Sequence, residues 1–62
     1  MPFVTIKMIE GRTTEQKRGM VRDVTQAIVK NIGCPETAVH IAIIDLKREN
    51  IGQAGKLMSD IK

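Results

Sequence analysis

The sequence begins Met1-Pro2-Phe3-Val4, and the proline is its most chemically suggestive residue. Removal of Met1 turns Pro2 into an N-terminal secondary amine, a group that only proline supplies at a chain terminus. An α-amine titrates at about 7.7–8.0 in model peptides, and a secondary amine somewhat higher. Desolvation and a neighbouring guanidinium both disfavour the ammonium form and draw that value toward neutrality. A neutral amine can act as a general base and then as a general acid, a contribution of roughly 10²–10⁴-fold to a proton-transfer reaction. The position also has a plain structural reading, since proline tolerates the first place of a strand, where no ladder donor is needed. Other reactive residue types are sparse. Cys34 stands alone before Pro35, with no adjacent His or Asp pattern to make it a nucleophile, and the chain has no Cys/His spacing suited to a metal.

The elements that would position these residues follow from periodicity. Residues 2–9 alternate, with Val4, Ile6 and Met8 on one face and Phe3, Thr5, Lys7 and Ile9 on the other, which predicts a strand. Glu10-Gly11-Arg12 breaks it. Thr13 then forms a capping box with Gln16 three residues on, and Met20, Val21, Val24, Ala27, Ile28 and Ile32 recur at helical spacing. Gly33 followed by Cys34-Pro35 ends the pattern, so a helix is predicted over residues 14–32. Residues 38–45 alternate again, Val39, Ile41 and Ile43 against His40, Ala42 and Ile44, and predict a second strand. Gly52 and Gly55 suggest a turn or small hairpin near the end. Met8 and Met20 are expected to fill the core, and Met58 a subunit interface.

Strand, long helix, strand is a βαβ unit, in which the strands run parallel with a right-handed crossover. One helix covers one face of such a sheet. The other face, carrying Phe3, Ile9, Ala42 and Ile44, is left bare, and parallel sheets are rarely open on a face. The sequence therefore calls for a homo-oligomer.

Composition agrees. The chain has 62 residues, which bounds it to a single domain, residues 1–62, near the lower limit of independent folding. It is 42% hydrophobic, yet Phe3 is its sole aromatic residue and it lacks a disulfide framework. The missing stabilisation is expected from partner subunits. A net charge of +3, scattered among seven acids, is weaker than a nucleic-acid footprint and suits a small anionic ligand. No signal peptide and no apolar run long enough to span a membrane are visible. Together with the lone thiol, this makes a cytoplasmic location the expectation, with no cofactor, no nucleic acid and no membrane partner.

Met1-Pro2 and a strand, then the run EGRTTEQK, an amphipathic helix, a strand and a Gly-containing hairpin resemble the 4-oxalocrotonate tautomerase family over nearly the whole chain. The resemblance implies an α+β fold, a β-α-β subunit with two parallel strands, one long helix and a C-terminal hairpin, assembled as a homohexamer (a trimer of dimers). It implies keto-enol isomerisation of a 2-hydroxydienoate or enolpyruvate-type carboxylate, with Pro2 as the general base and acid. Arg12, in the EGR motif, matches the family's carboxylate-binding arginine. As a surface residue it would sit poorly, because a cation beside a helix N-terminus opposes the macrodipole.

Two positions depart from the family pattern. His40 stands where a second arginine is usual, and an imidazole cannot reproduce the guanidinium fork, though it can hydrogen-bond a carbonyl or enol oxygen. Ile51 stands where an aromatic packs over the substrate. With Ile9 it is expected to line the substrate, giving an apolar wall of smaller area. Lys47 or Arg48 could supply a substitute cation. The family's hairpin also has glycine where Ala54 stands here. Alternative readings are another Pro2-dependent reaction of the same superfamily, dehalogenation, hydration or decarboxylation, and a small ribbon-helix-helix DNA-binding protein.

Overall fold

Local chemistry fixes the long helix at both ends. In a computed structural model, which describes residues 1–61, the Thr13 hydroxyl accepts from the Gln16 N–H at 3.1 Å, and the Gln16 side-chain oxygen accepts from the Thr13 N–H at 2.9 Å. This reciprocal box satisfies two of the donors that a helix start leaves unpaired. Helix α1 then runs Thr14–Ile32 and ends at Gly33, whose φ of 80° is the left-handed conformation that glycine adopts without a Cβ clash. The Gly33 N–H donates to the Val29 carbonyl at 2.9 Å.

Strand β1, Phe3–Ile9, and strand β2, His40–Leu46, flank α1 in sequence and pair in parallel, from Phe3 opposite His40 to Ile9 opposite Leu46. Val4, Ile6 and Met8 from β1 and Ile41 and Ile43 from β2 are half-buried, and their alternate neighbours are exposed except for Ile9, which is half-buried too. The first group packs under α1. One side-chain bond ties helix to sheet, Lys17 Nζ to Asp45 Oδ2 at 2.5 Å near the helix start, and a second, Gln26 Nε2 to Glu36 Oε1 at 2.6 Å, ties the helix to the segment leading into β2.

The second strand starts later than residues 38–45 predict. Glu36–Ala38 form a 3₁₀ turn, in which the Ala38 N–H donates to the Pro35 carbonyl and the Val39 N–H to the Glu36 carbonyl. Those donors are spent locally, so the ladder begins at His40 and extends to Leu46. The helix stripe also differs. Thr25 and Val29 join Met20, Val21, Val24 and Ile28 as half-buried residues, whereas Ala27 is exposed and Ile32 is 67% exposed. Two strands spaced about 4.8 Å apart support only a narrow stripe. A 19-residue helix, about 28 Å long, also overhangs strands of about 20 Å.

After β2 the chain turns through Arg48–Asn50 and forms a short hairpin, β3 (Gly52–Gln53) and β4 (Lys56–Leu57), before a last turn at Met58–Asp60. Gly52 pairs with Leu57 and Gln53 with Lys56, so Ala54-Gly55 form a two-residue turn with both φ values positive, 54° and 81°. This is the type I′ geometry that matches strand twist. Ala54 thus adopts the backbone expected of glycine. Its left-handed conformation costs about 1–2 kcal/mol, more than the roughly 0.4–1 kcal/mol by which alanine restricts the unfolded chain. Ala54→Gly is therefore expected to stabilise the protein by about 0.5 kcal/mol. Urea unfolding at a fixed protomer concentration checks this, and a lowered midpoint would mean that the Ala54 methyl makes a compensating contact.

Among the described residues only Ala38, at 8% exposed, is buried. Phe3 is 77% exposed and Ile44 is 40% exposed on the bare sheet face, with Leu57 and Ile61 exposed beyond it. The molecule measures 43 × 23 × 14 Å, longer than its helix. No described helix is long and apolar enough to cross a membrane.

Candidate functional site

Gly11 sets up the first part of the site. Its φ of 117° is a conformation that L side chains rarely adopt, and a Cβ there would meet nothing within 4 Å, so glycine serves the bend rather than the packing. The bend delivers Arg12 to the mouth of an open concavity of about 200 Å³, lined by Met8, Arg12, Gln16, Lys17 and Met20. Its apolar lining is thioether, a soft and polarisable surface. Its polar lining is one guanidinium, one ammonium and one amide. The Gln16 oxygen is occupied by the Thr13 N–H, which leaves the amide NH₂ as a donor for a ligand. Donors over an apolar lining suit a small carboxylate with an unsaturated tail.

Pro2 lies at the other end. Its carbonyl accepts from the His40 N–H at 3.1 Å, where β2 begins. The Phe3 and His40 rings stack there on the bare face, with centroids 5.2 Å apart and planes inclined by 17°. Met1 is 78% exposed, so its removal costs the fold little. While Met1 is attached, the Pro2 nitrogen is an amide without basicity; once it is gone, the nitrogen is an amine.

One chain does not unite these parts. The Lys17–Asp45 bond fixes the start of α1 at the Met8 end of the sheet, because Asp45 is the register partner of Met8. Seven strand residues rising about 3.3 Å each separate Pro2 from that end by roughly 20 Å. The structure therefore brings Pro2 and His40 together, and separately holds Arg12 in its concavity. Ile9 pairs with Leu46 near the Arg12 end but does not line the concavity. Ile51 sits at the base of the hairpin, its carbonyl accepting from the Met58 N–H at 2.8 Å, and lies outside that lining too. Lys47 and Arg48 lead into the turn before the hairpin.

Periodicity assigns Met8 and Met20 to the core, whereas both are half-buried and form the apolar lining beside Arg12. Sequence reasoning also missed Gln16 and Lys17. The signal was present: both belong to the first turns of a helix that starts beside Arg12, and a parallel crossover returns Asp45 to the same end.

The chain thus presents a βαβ layer with a bare face, Pro2 at one strand end and the Arg12 concavity at the other. Residues 2–61 match the family model described as tautomerase enzyme, so the chain belongs to the tautomerase family and is an isomerase of the 4-oxalocrotonate tautomerase type. It is 42% identical over 62 residues to the 2-hydroxymuconate tautomerase of Bacillus subtilis, with the whole of both chains covered. A probable tautomerase of Streptococcus pneumoniae is 52% identical over 46 residues, 74% of this chain and 77% of its own. Among solved structures, YwhB, a homologue of 4-oxalocrotonate tautomerase, superposes with a TM-score of 0.94 at 41% identity, covering 98% of this chain and 100% of that one. A heterohexameric 4-oxalocrotonate tautomerase from Chloroflexus aurantiacus gives 0.91 at 27% identity, with both chains fully covered.

Proposed function

We propose that this enzyme ketonises 2-hydroxydienoates or enolpyruvate-type carboxylates at a site shared between copies of the chain. The observation that carries this reading is the Arg12 concavity, donors over a thioether lining, lying a strand's length from Pro2. After Met1 removal, the Pro2 amine takes the proton from the enol oxygen. The C=C electrons move as the C=O bond forms, and the ammonium returns the proton to carbon. Arg12 of another copy holds the carboxylate and draws charge from the reacting system as it builds up, which lowers the barrier. His40, kept beside Pro2 by the ladder, donates or accepts a hydrogen bond at a substrate oxygen. Ile9 and Ile51 contribute apolar walls once copies are packed together.

Assembly has its own physical warrant. Burying a side chain such as Phe3 or Ile44 is worth about 1.5–3 kcal/mol, and a two-stranded sheet alone is marginal. The relative from Chloroflexus aurantiacus is described as a heterohexamer. A homohexamer of this chain, as a trimer of dimers, covers the bare face and supplies every site with both ends.

The test uses protein shown by mass to lack Met1 and by sedimentation to be assembled. It is expected to ketonise both 2-hydroxymuconate and the monocarboxylate phenylenolpyruvate well above the buffer rate. Absence of turnover with both substrates, in assembled protein, would overturn the proposal and point to another reaction of the superfamily.

A further inference from the structure

We infer that the Lys17–Asp45 ion pair sets how many carboxylates the Arg12 concavity accepts. The inference rests on the reading of Arg12 as the carboxylate holder. Lys17 lines the concavity beside Arg12, and its ammonium lies 2.5 Å from the Asp45 carboxylate. The counter-ion cancels the Lys17 charge, so the three groups leave one net positive charge at the mouth of the concavity. One positive charge matches one carboxylate. A second carboxylate on the ligand meets a cation already paired, together with the Asp45 oxygens, which repel it. The departure at His40 points the same way, since an imidazole does not bring the permanent charge of the arginine usual there. The concavity thus favours, without requiring, a monocarboxylate enol with a flat apolar tail, which rests on the polarisable Met8 and Met20 thioethers.

The pair also fastens α1 to β2, so the test must separate charge from strut. Two unsaturated acids that lack the enol hydroxyl, cinnamate and cis,cis-muconate, serve as unreactive mono- and dicarboxylate probes. Their affinities are measured by calorimetry at low ionic strength, where screening is weak. The proteins are the Met1-free assembled wild type and the near-isosteric variants Asp45→Asn, Lys17→Gln and the two combined. The Lys17 and Asp45 side chains are 28% and 38% exposed, so the effect is of surface ion-pair size. Asp45→Asn is expected to raise the preference for muconate over cinnamate about three- to fivefold, and Lys17→Gln to lower it. The double variant lacks the strut but keeps the wild-type charge, and its preference returns to the wild-type value.

If Asp45→Asn and the double variant shift alike, or if none shifts, the pair is only a strut and the inference fails while Arg12-dependent cinnamate binding stands. Cinnamate binding that survives Arg12→Ala would overturn the reading of Arg12 and this inference with it. Circular dichroism confirms that every variant keeps its helix.

Discussion

Pro2→Ala, in protein freed of Met1, is expected to lower ketonisation by about 10²-fold or more, the scale set by losing a well-matched general base. The variant still exposes an N-terminal amine. That amine is primary, unconstrained by the pyrrolidine ring and free to rotate away from the line of proton transfer, so base and geometry are lost together. Assembly should be untouched, because the only polar contact seen at Pro2 is made by its carbonyl, which accepts from the His40 N–H, and alanine keeps that carbonyl. The measurement is initial rate on phenylenolpyruvate alongside sedimentation. A rate unchanged in assembled protein would remove Pro2 from the mechanism and leave its place at the head of β1 as strand chemistry alone. A second form, with Met1 retained on the wild-type sequence, should be as inactive as the alanine variant, because it holds the nitrogen as an amide.

Arg12→Ala is expected to reduce kcat/KM for carboxylate-bearing enols by about 10²–10³-fold, since in the proposed mechanism it removes both a charge-assisted clamp and a donor aimed at developing charge. The roughly 20 Å between Pro2 and the Arg12 end then leads to a sharper test. Pro2→Ala and Arg12→Ala chains are each defective at one end of the subunit and sound at the other. Unfolding them together and refolding the mixture should restore part of the wild-type rate, because some sites then combine an intact Pro2 with an intact Arg12 from another copy. Were both ends of a site supplied by one chain, no mixture could recover activity, and the shared-site proposal would fall.

The helix was legible in the sequence because its signals are local. Thr13, Gln16 and Gly33 act through bonds to residues three or four positions away, and the structure places both ends of α1 at residues 14 and 32 as those signals predict. The strand faces were legible for a similar reason, since alternation is a property of neighbours. The start of β2 was not, because residues 38–45 look uniformly strand-like until the backbone donors of Ala38 and Val39 are followed to Pro35 and Glu36. Ile32 was misassigned because periodicity reports direction around a helix and not whether anything lies opposite. The site divides in the same way. Pro2 and Arg12 stand out by residue type and by the surrounding EGRTTEQK run, but Lys17 and Asp45 are 28 positions apart and acquire meaning only when the crossover joins them. That Pro2 and Arg12 occupy opposite ends is likewise a fact of strand length that no motif encodes.

The near-absence of fully buried residues has a thermodynamic consequence. With Ala38 alone buried among the described residues, folding one chain removes little apolar surface completely from water. Heat capacity scales with the apolar surface that unfolding exposes. In an assembly of such chains most of that increment therefore belongs to association. Calorimetric melting would follow a transition whose curvature is set by the contacts between copies, and whose midpoint climbs with protein concentration.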